Sequence, residues 1–156
     1  MFLMINNVHI FNSSSKQFLP RKSVIEIIEK VLLNNKKSGA EVNIIYLDDD
    51  EIQELNKQYL NHDYTTDVIA FNLDEVQGDE QLEGEVYIGV DVAKRQATEY
   101  GVALKNELLR LAVHGTLHLL GYEDDTPAKK NIMHKLENKF LLLQKQKVKN
   151  QITQNK

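Results

Sequence analysis

Short apolar runs along the chain predict four strands. Residues 4–11, 42–47, 67–71 and 85–90 are rich in β-branched and aromatic side chains, as buried strands are. Acids and glycines fill the stretch from residue 74 to residue 84, which predicts an exposed connection between the last two strands. All four runs are short enough to form one small sheet.

Five other stretches place apolar residues at helical spacing. They cover residues 21–35, 52–60, 91–100 and about 103–120, and a fifth helix begins near Pro127. Glycines at positions 101 and 121 mark the ends of the third and fourth helices. This irregular order of strands and helices predicts an α+β (α/β-like) fold, in which a small four-stranded mixed sheet packs with about five helices.

The fourth predicted helix carries the residues most typical of a functional site. His114 and His118 lie four residues apart, so their imidazoles share one helical face about one turn apart. Gly121 ends the helix, and an acidic turn at 123–125 follows at once. Two imidazoles and one carboxylate, with a fourth position left for water, are typical of catalytic zinc. We therefore predict a metal site on this central helix and the turn that follows it.

Two other interpretations of the histidine pair stand beside the metal site. Either imidazole could belong to the core or the surface of an ordinary amphipathic helix. The chain could also be a small zinc peptidase, whose H-E-x-x-H helix carries a glutamate after the first histidine as general base. Gly115 occupies that position, so the base that peptidase chemistry uses is missing.

Composition narrows the class of protein. With 156 residues the chain is long enough for one domain with its own core, and it contains no cysteine. The lack of cysteine restricts metal ligands to histidine and carboxylate, and it fits a reducing cytoplasm. The apolar N-terminus is short and lacks the basic leader of a signal peptide, and no apolar run approaches the roughly 20 residues that cross a bilayer. We therefore expect a cytoplasmic protein with no membrane contact.

Charge is distributed unevenly along the chain. The net charge is −4, yet residues 138–156 hold five lysines and no acid, which leaves −9 on the rest. We therefore divide the chain into a single folded domain at 1–140 and a basic C-terminal tail at 141–156. The tail is either a solvated or disordered chain end or an arm that binds RNA.

Four segments share residues, order and spacing with one bacterial family. They are HGTLHLLGYED at 114–124; LNKQY at 55–59 followed by Asp63 and TDVIAF at 66–71; GEVYIGVD at 84–91 followed by Gln96 and Ala97; and ELLRL at 107–111 with Met133 downstream. Together they resemble the YbeY family of metal-dependent endoribonucleases and rRNA maturation factors. The resemblance spans about residues 40 to 137, and the folded domain would be a YbeY-like metallohydrolase.

This resemblance implies a single-strand-specific endoribonuclease that acts in rRNA maturation and ribosome quality control. Its partners would be rRNA and components of the small ribosomal subunit, and no DNA is expected. One zinc ion per chain would be held by His114, His118 and Asp124 and would activate a water as nucleophile. The family mostly has a third histidine where this chain has Asp124, and the carboxylate should make the zinc a weaker Lewis acid. Asp125 is the alternative third ligand.

A second departure from the family concerns a missing cation. The family places an arginine directly after the tyrosine of the central motif, where this chain has Leu60. A guanidinium can stabilise the negative charge of a phosphoryl transition state, and leucine cannot. Either another cation takes over, or the protein is a non-catalytic ribosome-assembly or RNA-binding factor with a structural zinc. The other cations considered are Lys57, Arg95, Arg110 and the lysines of the tail.

Three more side chains could help the metal-bound water: Glu107, Arg110 and Asp67. Glu107 lies seven residues before His114 on the same helical face and could orient an imidazole, although a surface acid could have the same spacing. Asp67 could line the cleft or cap a strand. Met133 could pack beneath the metal or simply fill the core.

Overall fold

The computed structural model describes residues 5–73 and 81–154, and these ranges contain four strands and five helices in one layered fold. The predicted fold class is confirmed. The predicted connection at 74–84 lies mostly outside the described residues, and Glu83 and Gly84 belong to the last strand. The elements in chain order are β1 (Asn7–Asn12), α1 (Lys22–Asn34), β2 (Glu41–Leu47), α2 (Asp49–Leu60), β3 (Val68–Asn72), β4 (Glu83–Gly89), α3 (Val90–Tyr100), α4 (Leu104–Leu119) and α5 (Pro127–Gln154).

The sheet is mixed, with strand order β1-β2-β4-β3. The pairs β1–β2 and β2–β4 are parallel, while β3 runs antiparallel to β4 with Val68 opposite Ile88. Because β3 ends the order, its start lies at one edge of the sheet, where the residues just before it can reach α4.

The two faces of the sheet are covered by different helices. One face packs against α1 and α4, and α5 packs on these two helices; together they form the main core, with Ile44, Val86 and Leu117 fully buried. On the other face, Leu47 of β2 and Ile69 of β3 form a smaller cluster with Ile52 of α2. Successive side chains of each strand point to opposite faces, so the two clusters follow the period of two that is typical of strands.

Helix α4 approaches the sheet closely because of a glycine. A side chain at Gly115 would overlap Cγ1 of Val86 on β4 and would come 3.2 Å from Val68 of β3. The missing side chain lets the helix axis lie against these two strands. It also explains why a peptidase glutamate cannot stand after His114, since position 115 faces the sheet and has no space for one.

No helix in the described part of the chain combines the length and apolarity that a membrane crossing needs.

Helix α5 continues without a break past residue 140, the predicted end of the folded domain. Leu141 is 6% exposed and Gln144 is 4% exposed, so both pack against the domain. The amide of Gln144 accepts a hydrogen bond from Lys30 at 3.2 Å and donates one to Glu26 at 3.3 Å. Nζ of Lys147 lies 2.9 Å from the same Glu26 carboxylate. Gln144 and Lys147 therefore contact α1 from beyond the predicted boundary.

We expect deletion of residues 141–156 to lower the free energy of unfolding by about 2–3 kcal/mol, mainly through the lost burial of Leu141. Deletion of the residues after Lys149 should change it by less than about 0.5 kcal/mol, as for typical surface changes. Urea unfolding followed by circular dichroism measures both. An unchanged free energy after the longer deletion would contradict this expectation and would support the boundary at residue 140.

Candidate metal centre

Helix α4 and the turn after it bring three potential ligand atoms together. Nε2 of His114 and Nε2 of His118 lie 3.0 Å apart. Oδ2 of Asp124 lies 3.5 Å from Nε2 of His114 and 3.6 Å from Nε2 of His118. Among the described residues these three form a group that could hold a metal ion.

The turn after α4 positions the carboxylate. Gly121 has φ +99, a left-handed conformation that favours glycine and reverses the chain at the helix end. The N–H of Gly121 donates to the carbonyl of His118, and the N–H of Tyr122 donates to the carbonyl of Leu117, both at 3.0 Å. These bonds satisfy the last carbonyls of the helix and direct Asp124 back towards the two imidazoles.

The donor set and its spacing fit a zinc ion. A tetrahedral zinc with bonds of about 2.0–2.1 Å places its ligand atoms about 3.3 Å apart. The three separations, 3.0, 3.5 and 3.6 Å, are close to that edge length. Two imidazole nitrogens and one carboxylate oxygen, partly exposed on one side, leave room for a fourth ligand from solvent.

Asp125, the alternative third ligand, faces away from the imidazoles. Its Oδ1 lies 3.2 Å from Nζ of Lys129, and its side chain is 67% exposed. Glu123 pairs with the same lysine at 2.9 Å. The structure therefore brings Asp124 to the histidines and holds its two acidic neighbours at the surface.

A buried carboxylate from α5 supports the first histidine. Oε2 of Glu137 lies 2.8 Å from Nδ1 of His114, and the Glu137 side chain is only 7% exposed. A carboxylate accepts hydrogen bonds, so the proton of a neutral His114 imidazole belongs on Nδ1 and the lone pair on Nε2 faces the ligand group. Sequence reasoning missed Glu137, although an acid within the buried stripe of α5, between Met133 and Phe140, was a signal.

The same carboxylate affects the protonation of His114. Burial by itself lowers the pKa of this imidazole, but the hydrogen bond and charge of Glu137, together with Asp124 and Asp67, raise the pKa above its usual value. A metal must displace that proton, so acid should weaken metal binding.

The three predicted helper residues line one cavity beside the ligand group. This cleft has a volume of about 490 Å³, and its wall includes His114 and Asp124 as well as Asp67, Glu107 and Arg110. Glu107 is 3% exposed, and burial raises the pKa of its carboxyl group. Met133 is core, with 2% exposure, and it also lines the cleft; its packing beneath a metal stays a prediction.

Asp67 also has both of the roles considered for it. Its Oδ1 accepts a hydrogen bond from the N–H of Val68 at 2.8 Å, which caps the start of β3. Its Oδ2 accepts one from Nε2 of Gln96 at 3.3 Å on the wall of the cleft.

Comparison with known proteins identifies the family. The family model described as Endoribonuclease YbeY matches residues 9–145. Endoribonuclease YbeY of Chloroherpeton thalassium is 39% identical over 132 residues, which cover 85% of this chain and 92% of that protein. Endoribonuclease YbeY of Flavobacterium psychrophilum is 40% identical over 121 residues, 78% of this chain and 84% of that protein. The chain belongs to the YbeY family.

A solved structure agrees with this membership. The solution structure of TM1509 from Thermotoga maritima superposes with a TM-score of 0.63 at 26% identity. The match covers 92% of this chain and 93% of that one. The fold described above therefore recurs in a protein that shares about a quarter of its residues with this one.

Leu60, at the position where the resemblance implies an arginine, lies at a second cavity. Leu60 is 44% exposed and lines a groove of about 480 Å³ together with His118, Phe71 and Tyr122. The ligand group thus separates two grooves, with His114 and Asp124 facing one and His118 facing the other. Where the resemblance implies a cation, this chain has an apolar wall.

The other cations differ in their access to the site. Arg95 forms two hydrogen bonds with the Asp49 carboxylate, at 3.0 and 3.2 Å, and lies outside the cleft wall. Arg110 lines the cleft, where its guanidinium donates to Glu137 at 3.0 Å and to Asn138 at 2.8 Å. Lys130 also lines the cleft and was not anticipated from the sequence. Its side chain makes no ion pair within the described ranges, so its charge is available.

Substitution of the carboxylates should identify the third ligand. Asp124→Asn should weaken zinc binding by more than the roughly 10- to 100-fold that loss of an outer partner causes, because it removes a directly bound charge. Asp125→Asn, the matched control, should bind like wild type, and Asp124→His should retain the metal. Competition with a chromophoric chelator measures each affinity. If Asp125→Asn lost zinc affinity and Asp124→Asn did not, the third ligand would be Asp125.

Glu137 should matter for metal affinity without being a ligand. Glu137→Gln removes the charge that holds His114 in its tautomer, and we expect zinc affinity to fall roughly 10- to 100-fold. Asn138→Ala serves as control, since Asn138 contacts Arg110 and not His114. Chelator competition on folded protein gives the two affinities. Equal affinities for Glu137→Gln and wild type would show that the 2.8 Å contact does not support the ligand.

Proposed function

We propose that the protein is a zinc-dependent, single-strand-specific endoribonuclease of rRNA maturation and ribosome quality control. It would act in the cytoplasm on rRNA, with components of the small ribosomal subunit as partners. The observation that carries the proposal is the convergence of His114, His118 and Asp124 within 3.0–3.6 Å at the junction of two open grooves. Family membership supports the reaction class, because the relatives are endoribonucleases.

In this proposal His114, His118 and Asp124 hold one zinc ion per chain. When bound, zinc supplies Lewis-acid chemistry that activates water and polarises a phosphoryl oxygen. Glu137 keeps His114 oriented, and its bond to Arg110 fixes the guanidinium on the wall of the same cleft. A fixed guanidinium can meet phosphoryl oxygens without further ordering.

Glu107 is the proton carrier that the cleft offers. Its carboxyl is buried on the wall with Arg110 and His114, and its raised pKa brings it closer to neutral pH. No described residue forms a hydrogen bond or an ion pair with the Glu107 side chain, so the group is free to face a substrate or water.

Metal analysis combined with RNA cleavage tests this function directly. Wild-type protein should purify with one zinc per chain and cut unstructured RNA, whereas His114→Ala should lose the metal and the cleavage together. His9→Ala is a matched control, because His9 lies on β1 far from the ligand group in the fold. Full metal content with no cleavage of any RNA by wild type would refute the enzyme assignment.

A non-catalytic assembly factor is the second candidate, and Leu60 is the observation that favours it. If an arginine at this position stabilises phosphoryl charge, Leu60→Arg should raise the single-turnover rate with little change in RNA affinity. Loss of one oriented donor costs about 100- to 1,000-fold, so even partial recovery is visible. Cleavage by Arg110→Ala is measured in parallel. A large loss in Arg110→Ala with no gain in Leu60→Arg would contradict this expectation and assign the role to Arg110.

A further inference from the structure

The cleft extends well beyond the metal ligands. Its volume of about 490 Å³ falls within the range of sites that enclose small organic ligands, and it is large enough for one nucleotide. Residues from the end of α3, the first turns of α4 and the first half of α5 form this part of the wall. None of them belongs to the ligand group.

An exposed aromatic ring stands on this wall. Tyr100 is the last residue of α3 and is 61% exposed. Gly101 follows in a left-handed conformation with φ +68 and turns the chain, so that Val102 lines the same wall. Within the described chain the Tyr100 ring stacks on no other ring, and its hydroxyl forms no hydrogen bond. The ring face is therefore free to receive a planar group.

A polar group with unused hydrogen-bonding capacity lies on the same wall. Asn106 lines the cleft, and its side-chain amide bonds to nothing in the part of the chain that is described. An amide offers both a donor and an acceptor, as the edge of a nucleobase does. Leu111 and Met133 add apolar surface, and Arg110 adds a positive charge between this region and the ligand group.

These features match one unpaired base of a single strand. Proteins that recognise single-stranded RNA stack splayed bases on aromatic rings and bond to the exposed base edges. A base within a duplex has both faces stacked and its edge paired, so it cannot enter such a cavity. The cleft wall contains four carboxylates, which outnumber its lysine and arginine, so away from Arg110 a phosphate is disfavoured and the uncharged base is the better occupant.

We propose that the cleft is a base pocket, in which the nucleobase beside the scissile phosphodiester stacks on Tyr100 and bonds to Asn106. This inference rests on the proposed endoribonuclease function, and it adds the residues that select an unpaired nucleotide. The second groove beside His118 lets the strand continue past the ligand group on the other side. Tyr100 and Asn106 are binding residues in this account and take no part in the reaction.

A thermodynamic cycle between protein and RNA tests the pocket. Each base of a short unstructured RNA is replaced in turn by an abasic residue. Binding to the metal-loaded protein is then followed by fluorescence anisotropy, over a time shorter than that of cleavage, for wild type, Tyr100→Ala and Asn106→Ala. Phe18→Ala is the matched control, since Phe18 is a 99% exposed aromatic residue that lines a different cavity. Metal content is checked for each variant and should stay at the wild-type level.

We expect one abasic position to weaken binding by roughly 10-fold, the loss of a single base–aromatic stack. Tyr100→Ala should weaken binding of the intact RNA to a similar degree. For this variant, the RNA with that abasic position should bind as well as the intact RNA. Asn106→Ala should lose affinity for the intact RNA and little for the abasic one, and Phe18→Ala should match wild type throughout. The pocket would be overturned if the affinity losses from the protein substitution and from base removal were additive, or if wild type bound intact and abasic RNA equally.

Cleavage of the same RNAs by the metal-loaded protein separates this proposal from the function on which it rests. Coupling in the binding cycle without any cleavage would refute the endoribonuclease function and still support the base pocket. If the abasic RNA were cleaved as fast as the intact RNA and the binding losses were additive, the pocket would be overturned and the endoribonuclease function would stand.

Discussion

The contact of α4 with the sheet is the constraint on which the site depends. Gly115 lets the helix lie against Val86, and ten of the sixteen residues of α4 are buried. Past the first turn, the positions left on the open side are Arg110, His114 and His118, together with Leu120 just after the helix. The three polar residues follow one another at intervals of four, so they form one stripe along the cleft. Packing of the apolar side chains thus determines which functional groups face solvent.

The stripe needs partners from outside the helix because imidazole and guanidinium groups are costly to bury alone. Glu137 supplies one carboxylate that contacts both His114 and Arg110, at 2.8 and 3.0 Å. Asp124 supplies a second from the turn after α4, and Asp67 approaches from the start of β3. Such a concentration of acids is a poor match for RNA phosphates. A divalent cation at the ligand group would offset two of these charges, which links RNA binding to metal binding.

Local patterns made much of this structure predictable from sequence. Apolar spacing of two and of about four residues revealed the strands and helices, and the interval between His114 and His118 placed both imidazoles on one face. The choice of Asp124 over Asp125 came from the resemblance to the family, and the structure adds a local reason. Asp125 and Lys129 are four residues apart on α5 and its approach, a spacing that favours their ion pair.

The rest could not be derived from local patterns. Glu137 lies 23 residues from His114, and only the docking of α5 on α4 brings them together. The helical stripe of α5 predicted core positions, but a glutamate among them has no partner that the sequence alone reveals. The antiparallel pairing of β3 and the cavity beside Tyr100 likewise arise from contacts between distant segments.

The central claim is that His114, His118 and Asp124 form one tetrahedral zinc site completed by solvent. X-ray absorption at the zinc edge of the loaded protein tests it most directly. The account predicts four nitrogen or oxygen neighbours at about 2.0–2.1 Å, with the outer-shell scattering of two imidazoles. A spectrum with one imidazole or none, or with six oxygen neighbours at longer distance, would contradict it.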